Sequence, residues 1–62
     1  MKYTVENDSY YTQAAHNMER IGGDFAAALA RAYYAADSRN RAQLVKAFEH
    51  LFDAHAPADL SN

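Results

Sequence analysis

Two pairs of residues in the chain have a spacing at which side chains can share a metal ion. His16 and Glu19 are three residues apart, and His50 and Asp53 repeat this spacing further along the chain. Residues three apart lie on one face of a helix, and such pairs on two facing helices can build a binuclear site. These sites normally contain more carboxylates in a buried position, whereas these pairs fall on polar helix faces. We therefore expect no metal site.

Residue types that could carry out covalent catalysis are scarce. The chain contains no cysteine, which excludes a thiol nucleophile, a thiolate zinc site and disulfides. The serines Ser9, Ser38 and Ser61 fall at expected helix caps or in the C-terminal tail, where capping or solvation accounts for them. Gly22-Gly23 lacks the spacing and the lysine of a phosphate-binding loop, so we interpret it as a helix break. We expect no enzymatic activity, no catalytic residues and no cofactor.

Two adjacent tyrosine pairs, Tyr10-Tyr11 and Tyr33-Tyr34, are more informative. Neighbouring residues on a helix point in directions about 100° apart, so one member of each pair must face away from the core. Tyr11 and Tyr33 fall on apolar stripes, which leaves Tyr10 and Tyr34 partly exposed. Exposed tyrosines are typical of contact surfaces because they offer a large area at low entropic cost. The alternative is a surface tyrosine that lies along its own helix.

The formal net charge of −2 is unevenly distributed, since residues 20–46 are basic on balance and both ends are acidic. If Glu49 and Asp53 gather with other acidic residues into one patch, that patch would face a basic protein surface, of the kind that normally holds nucleic acid. Alternatively, the second interhelical turn gathers four cations, and a DNA-binding helix-turn-helix would begin its recognition helix near Arg39. These cations are Arg31, Arg39, Arg41 and Lys46. The acidic residues later in that helix would repel phosphates, which favours the first interpretation.

Three helices are expected to position these residues, at about 9–21, 24–36 and 39–55, because apolar residues recur at helical spacing in each segment. Asp8 and Ser9 are suitable N-cap residues for the first of them. We expect an all-α, compact three-helix domain in which residues 1–8 and 57–62 are flexible or irregular. Seven large apolar side chains are expected to form most of its core: Met18, Ile21, Phe25, Leu29, Leu44, Phe48 and Leu51.

A chain of 62 residues forms a single domain, 1–62, with a thin core and marginal stability. A homodimer that buries leftover apolar surface is therefore a further expectation. The first residues lack the apolar run of a secretory signal, and no stretch approaches the roughly 20 apolar residues that a membrane span needs. We expect a soluble protein without membrane contact, located in the cytoplasm.

The segment 21–37, followed by 40–42 and 47–52, resembles small open reading frames of bacterial phages, prophages and plasmids. These share a GG-x-F-x-x-x-L-A-x-x-Y-x-x-A-D-x-x-N-R core and an A-F-x-x-L-F finish. The resemblance covers about residues 16–53 and consists mostly of scaffold positions. It departs from the pattern at Glu49 and His50, where the related sequences carry a proline-containing finish.

The resemblance implies a mobile genetic element in a bacterial host cell. Small proteins of such elements often bind a host complex and block its working surface, as anti-CRISPR proteins do. We expect this chain to bind and inhibit a host protein complex, and the most specific form of this hypothesis is that the complex is a CRISPR effector. A small DNA-binding or transcription-modulating protein is the alternative. The expected contact residues are the exposed tyrosines and the charged residues named above: Tyr10, Tyr34, Glu49, Asp53, Arg39 and Arg41.

Overall fold

The computed structural model describes residues 2–57, which form a short 3-10 turn followed by three α-helices. The turn spans Val5–Asn7, and the helices are α1 (Asp8–Ile21), α2 (Gly23–Ala35) and α3 (Ser38–Ala54). The described part of the chain contains no strand. The expected all-α three-helix architecture is confirmed, and each helix end lies within one residue of its expected position. The part of the expected irregular tail beyond residue 57 lies outside the described residues.

The junction between α1 and α2 depends on both glycines. Gly23 has a φ of +89°, a left-handed conformation that L-amino acids with side chains rarely adopt. Gly22 lies in a close contact, because a Cβ atom added there would come 2.6 Å from the Met18 carbonyl oxygen and 2.7 Å from the Ala26 Cβ. The absence of a side chain at Gly22 therefore lets the last turn of α1 and the first turn of α2 pack directly.

Replacing Gly22 by alanine is expected to destabilise the fold by about 1–3 kcal/mol, because backbone and Cβ atoms must shift to admit one methyl group. A thermal unfolding curve followed by circular dichroism measures this loss. The matched control is Ala27→Gly, which removes a methyl group from the half-buried side of α2 and should lower stability by only about 1 kcal/mol. A Gly22→Ala variant as stable as the natural chain would contradict the close packing at this junction.

The core is built largely from aromatic and small side chains. Tyr11, Tyr33 and Phe52 are completely buried, one from each helix, and the Phe52 ring contacts that of Tyr11 edge-on and that of Tyr33 in a tilted arrangement. The expectation that Tyr11 and Tyr33 face inward is confirmed. Alanines fill the space between the rings and let the helices approach closely. The remaining buried apolar residues are Tyr3, Ala14, Ala15, Met18, Ala26, Leu29, Ala30 and Val45.

Two of the seven large residues expected in the core are exposed instead. The exposed fraction is 71% for Ile21 and 63% for Phe25. Ile21 is the last residue of α1, beside the Gly22 contact, and Phe25 lies on the outer face of α2. The molecule measures only 16 Å in its thinnest direction, so three helices cannot cover every apolar face. Met18 and Leu29 are buried as expected, and the other three (Leu44, Phe48 and Leu51) are partly buried against the core.

The segment before α1 packs onto the helices. Tyr3 is a core residue, and its ring contacts those of Tyr11 at 5.9 Å and Tyr33 at 6.4 Å. Thr4 and Asn7 form a reciprocal capping box, in which each side chain accepts a hydrogen bond from the backbone amide of the other. The side chain that caps a helical turn in this region is thus that of Thr4.

Helix α3 starts with a cap that the sequence indicates and then bends. The Asp37 carboxylate accepts a hydrogen bond from the Asn40 amide at 2.9 Å. At Phe48 the backbone leaves helical geometry, with φ −127° and ψ 32°, so the last turns of α3 run in a different direction. Among residues 2–57, no helix combines the length and the apolar content required to cross a membrane.

Candidate protein-binding surface

Tyr10 and Asp53, which are 43 residues apart in the sequence, meet at the surface between α1 and α3. The Tyr10 hydroxyl donates a hydrogen bond to the Asp53 Oδ1 at 3.0 Å. The Tyr10 ring stands edge-on to the buried Tyr11, with ring centroids 4.9 Å apart. Glu49 lies one helical turn before Asp53 on α3 and acts electrostatically on both tyrosines. We call Tyr10, Glu49 and Asp53 the acidic tyrosine patch.

The environment of this patch keeps Tyr10 and the neighbouring Tyr11 protonated. Burial, followed by the hydrogen bond to Asp53 and the negative charges of Asp53 and Glu49, raises the pKa of Tyr10. Burial and the same two charges raise the pKa of Tyr11 to about 12. A phenol with a raised pKa is a poor general base at neutral pH. The Tyr10 hydroxyl already donates its one proton to Asp53, so the patch presents an aromatic ring and hydrogen-bond acceptors, which suits a partner that supplies donors.

A groove adjoins the patch at Glu49. It has a volume of about 510 Å³ and lies between the N-terminal segment and α3. Its lining includes the apolar side chains of Tyr3, Ala42 and Val45, and the charged residues Lys2 and Lys46 border it. A partner with an apolar side chain beside a charged or polar group would fit such a recess.

Tyr34 lies elsewhere on the molecule. Its hydroxyl contacts the Glu19 Oε1 at 3.4 Å, and its ring stands edge-on to His16 at 5.6 Å. Glu19 follows Tyr10 by nine positions, which places it about half a turn around α1 from Tyr10. Tyr10 and Tyr34 are both half-exposed as expected, but they lie on opposite sides of α1 and do not form one surface.

Arg41 was expected at a contact surface, but its side chain is bound within the protein. Its Nε donates to the carbonyl oxygens of Tyr33 at 2.9 Å and Ala36 at 3.1 Å, and its Nη2 donates to that of Tyr34 at 3.3 Å. Its Nη1 forms an ion pair with the Asp8 Oδ1 at 2.9 Å. The guanidinium also lies 4.4 Å from the centre of the Tyr33 ring. Arg41 therefore holds the C-terminal end of α2 against α1.

Asp8 is the centre of this arrangement. Its Oδ1 accepts hydrogen bonds from the hydroxyls of Tyr3 at 2.6 Å and Tyr33 at 2.8 Å, in addition to the Arg41 contact. Burial alone would raise the pKa of Asp8, but the hydrogen bonds from Tyr3, Tyr33 and Arg41, together with the Arg41 charge, outweigh it and lower the pKa. We call Tyr3, Asp8, Tyr33 and Arg41 the Asp8 network.

The Asp8 network contains residue types that also occur in catalytic sites, but the pKa values of its groups are shifted away from reactivity at neutral pH. Burial and the neighbouring carboxylate raise the pKa of Tyr3, and burial also raises that of Tyr33. Burial opposes the charge of Arg41, yet its pairing with Asp8 raises the Arg41 pKa above the ordinary value. Each group is thus held in its usual protonation state by a partner inside the domain. The network joins the N-terminal segment, α1, α2 and α3 rather than presenting a reactive group.

The remaining candidate residues stay apart from one another. Arg39 is exposed in the first turn of α3, without the contacts that hold Arg41. The two His-x-x-acid pairs do not converge, since His16 contacts Tyr34 while Asp53 binds Tyr10. In the described part of the chain, no group of three or more histidine and carboxylate side chains comes close enough to hold a metal ion.

Sequence reasoning missed the Asp8 network and the groove. Asp8 had a helix cap as its expected role, and Tyr3 belonged to a segment without expected packing. One available signal was the weak alternation of Tyr3 and Val5, although Val5 is exposed and only Tyr3 is buried. The groove depends on Tyr3 reaching α3, so no local pattern reveals it.

Comparison with known proteins gives no relative from which a function could be transferred. No protein family, curated protein or solved structure shows a significant match to this chain. The resemblance to reading frames of mobile elements therefore stays a prediction, and the functional argument depends on the surfaces described above.

Proposed function

We propose that this chain is a small non-enzymatic protein that binds a host protein complex and blocks its working surface. In its most specific form, the proposal is that the target is a CRISPR-Cas defence complex. The observation that carries the proposal is the acidic tyrosine patch. It brings a half-exposed aromatic ring together with two carboxylates on one side of the domain. This combination suits a basic protein surface because the ring supplies contact area and the carboxylates supply complementary charge.

The patch is ordered before it meets a partner. Tyr10 is held by its hydrogen bond to Asp53 and by edge-on contact with Tyr11. Binding therefore loses little further side-chain entropy, and this favours affinity. The channel of a CRISPR effector that holds the guide–target duplex is positively charged, so an acidic domain can occupy it in place of nucleic acid.

The nucleic-acid alternative has less support from the side chains around the second interhelical turn. Arg41 is the cation that the alternative needs beside Arg39, and it is engaged with Asp8 and three backbone carbonyls. A guanidinium used in this way cannot also form a bidentate contact with a phosphate or a guanine. Arg31, Arg39 and Lys46 stay exposed, but the helix that Arg39 begins also carries Glu49 and Asp53, whose charges repel phosphates.

The proposal is tested by affinity purification of the tagged chain from bacteria with an active CRISPR-Cas system, followed by mass spectrometry. We expect recovery of the effector complex in stoichiometric amount. Expression of the chain should also restore plaque formation by a phage that the system targets. Replacing both Glu49 and Asp53 by lysine is expected to weaken binding about 100-fold, since each reversal at a complementary interface removes about tenfold in affinity.

Glu19→Lys is the matched control for each single reversal in the patch, because it reverses one carboxylate on the opposite side of α1, beside Tyr34. It should leave binding within about threefold of the natural chain. Recovery of DNA alone would contradict the proposal and support the nucleic-acid alternative. If Glu19→Lys loses as much binding as Glu49→Lys or Asp53→Lys alone, then net charge, rather than this surface, determines binding.

A further inference from the structure

The outer face of α2 is apolar and lacks a covering element. Its residues are exposed at positions 24, 25, 28, 31, 32 and 35, which together form one side of the helix. Four of them are apolar: Phe25, Ala28, Ala32 and Ala35. The side chain of Phe25 is 63% exposed, and the three alanines extend its apolar surface along the helix. The face is therefore a candidate interface that is separate from the acidic tyrosine patch.

The charges on this face are self-complementary. Asp24 and Arg31 are seven residues apart on the same edge of α2, two turns from each other. Neither side chain has an ion-pair or hydrogen-bond partner among residues 2–57. Consider a second copy of α2 that packs antiparallel to the first, with Ala28 at the two-fold axis. Measured along the helix axis, the partner's Asp24 then lies at nearly the same height as Arg31, within about 1.5 Å. Both oppositely charged pairs then form at once, as an isologous interface requires.

The opposite edge of the same face is complementary in shape. Phe25 lies on the side of α2 that faces α3, where its ring contacts Phe48 at 5.7 Å. On this side, Ala32 and Ala35 of α2 and Leu44 of α3 border an open hollow of about 610 Å³. In the same antiparallel arrangement, the partner's Phe25 comes level with residue 31, next to Ala32 and the mouth of this hollow. A ring thus meets a hollow on one edge while the charges pair on the other.

We infer that the outer face of α2 binds a second copy of this chain in an antiparallel, two-fold symmetric dimer centred on Ala28. A methyl group at the axis lets the two helices approach within the 8–10 Å typical of packed helices. The dimer covers Phe25, one of the two expected core residues that the single domain leaves exposed. It leaves the acidic tyrosine patch of each copy available, so the assembly is bivalent for a partner that binds this patch.

Sedimentation equilibrium of the full chain over a range of concentrations tests the dimer. We expect the natural chain to be dimeric at high concentration and Ala28→Arg to be monomeric with unchanged helical content, because two positive charges would meet at the axis. Asp24→Arg and Arg31→Asp should each weaken dimerisation about tenfold, since each places like charges together at two symmetric sites. The double variant, which swaps the charges, should return to within about threefold of the natural chain.

Lys46→Glu is the control, since Lys46 lines the groove beside Tyr3 and should leave dimerisation unchanged. A natural chain that stays monomeric at every concentration would overturn the inference. It would also be overturned by single charge variants that dimerise like the natural chain, or by a double variant that does not recover. If the chain is monomeric and Ala28→Arg instead abolishes binding to the host complex, the face belongs to that complex and not to a second copy.

Discussion

Replacing Phe52 by alanine is expected to unfold most of the protein at room temperature. Phe52 is completely buried, and its ring lies 5.8 Å from that of Tyr11 and 5.6 Å from that of Tyr33. Truncation of a buried phenylalanine removes its apolar contacts and leaves a cavity, which destabilises proteins by about 3–5 kcal/mol. A domain of this length has a total stability of only about 3–5 kcal/mol. The loss is therefore comparable to the whole free energy of unfolding.

The measurement is the free energy of unfolding from urea titration, followed by helical circular dichroism. Phe25→Ala is the matched control, because it makes the same substitution at a ring that is 63% exposed. We expect it to lose at most about 1 kcal/mol of stability in the monomer, since little of its area leaves water on folding. Equal destabilisation by the two substitutions would contradict the distribution of aromatic side chains described above.

The helices were predictable because their signals are local. Apolar residues at helical spacing, the glycine pair at positions 22–23 and the Asp37 cap each involve residues within a few positions of one another. The same periodicity places Tyr11 and Tyr33 inward and Tyr10 and Tyr34 outward, which the structure confirms. Local patterns thus determined where each helix begins and ends, and which side of it is apolar.

Which of the apolar residues are buried depends on contacts between residues that are distant in the sequence. Periodicity marks Ile21 and Phe25 as core positions as strongly as it marks Met18. Whether they are covered depends on how α2 leaves α1 at Gly22 and on a fold that is only 16 Å thick. The domain buries tyrosines in their place, since tyrosine fills volume and its hydroxyl can reach a polar partner such as Asp8.

The candidate site was predicted as separate residues and not as an arrangement. Tyr10, Glu49 and Asp53 were each expected at a contact surface, but their proximity depends on α1 lying beside α3. The same packing removes Arg41 from the surface by pairing it with Asp8, 33 residues earlier in the chain. A charge pattern read along the sequence shows which groups exist, whereas the helix packing decides which of them pair internally.

Replacing Asp8 by alanine is expected to lower the free energy of unfolding by about 2–4 kcal/mol at neutral pH. The substitution removes the carboxylate that Tyr3, Tyr33 and Arg41 share. Tyr33 keeps only longer contacts with the Asp8 carbonyl oxygen and the Thr12 hydroxyl, and Arg41 keeps its backbone carbonyls but loses its ion pair. Asp8→Asn should lose less stability, because its amide oxygen still accepts hydrogen bonds although it carries no charge. The difference between the two variants separates the hydrogen bonds from the ion pair.

The same residue should make stability dependent on pH in the acid range. The pKa of Asp8 is lower in the folded protein than its ordinary value of about 3.9, so the folded state favours the charged carboxylate. Its contribution to stability is therefore fully present above about pH 5 and is lost as the pH falls through the lowered pKa of the folded state. Urea titrations of the natural chain and of Asp8→Asn at a series of pH values should give stabilities that converge toward acid pH and diverge toward neutral pH.

The control is Glu6→Gln, at an exposed carboxylate in the 3-10 turn, and its stability should follow that of the natural chain throughout. A constant difference in stability between the natural chain and Asp8→Asn across this range would show that the charge on Asp8 does not hold the four segments together.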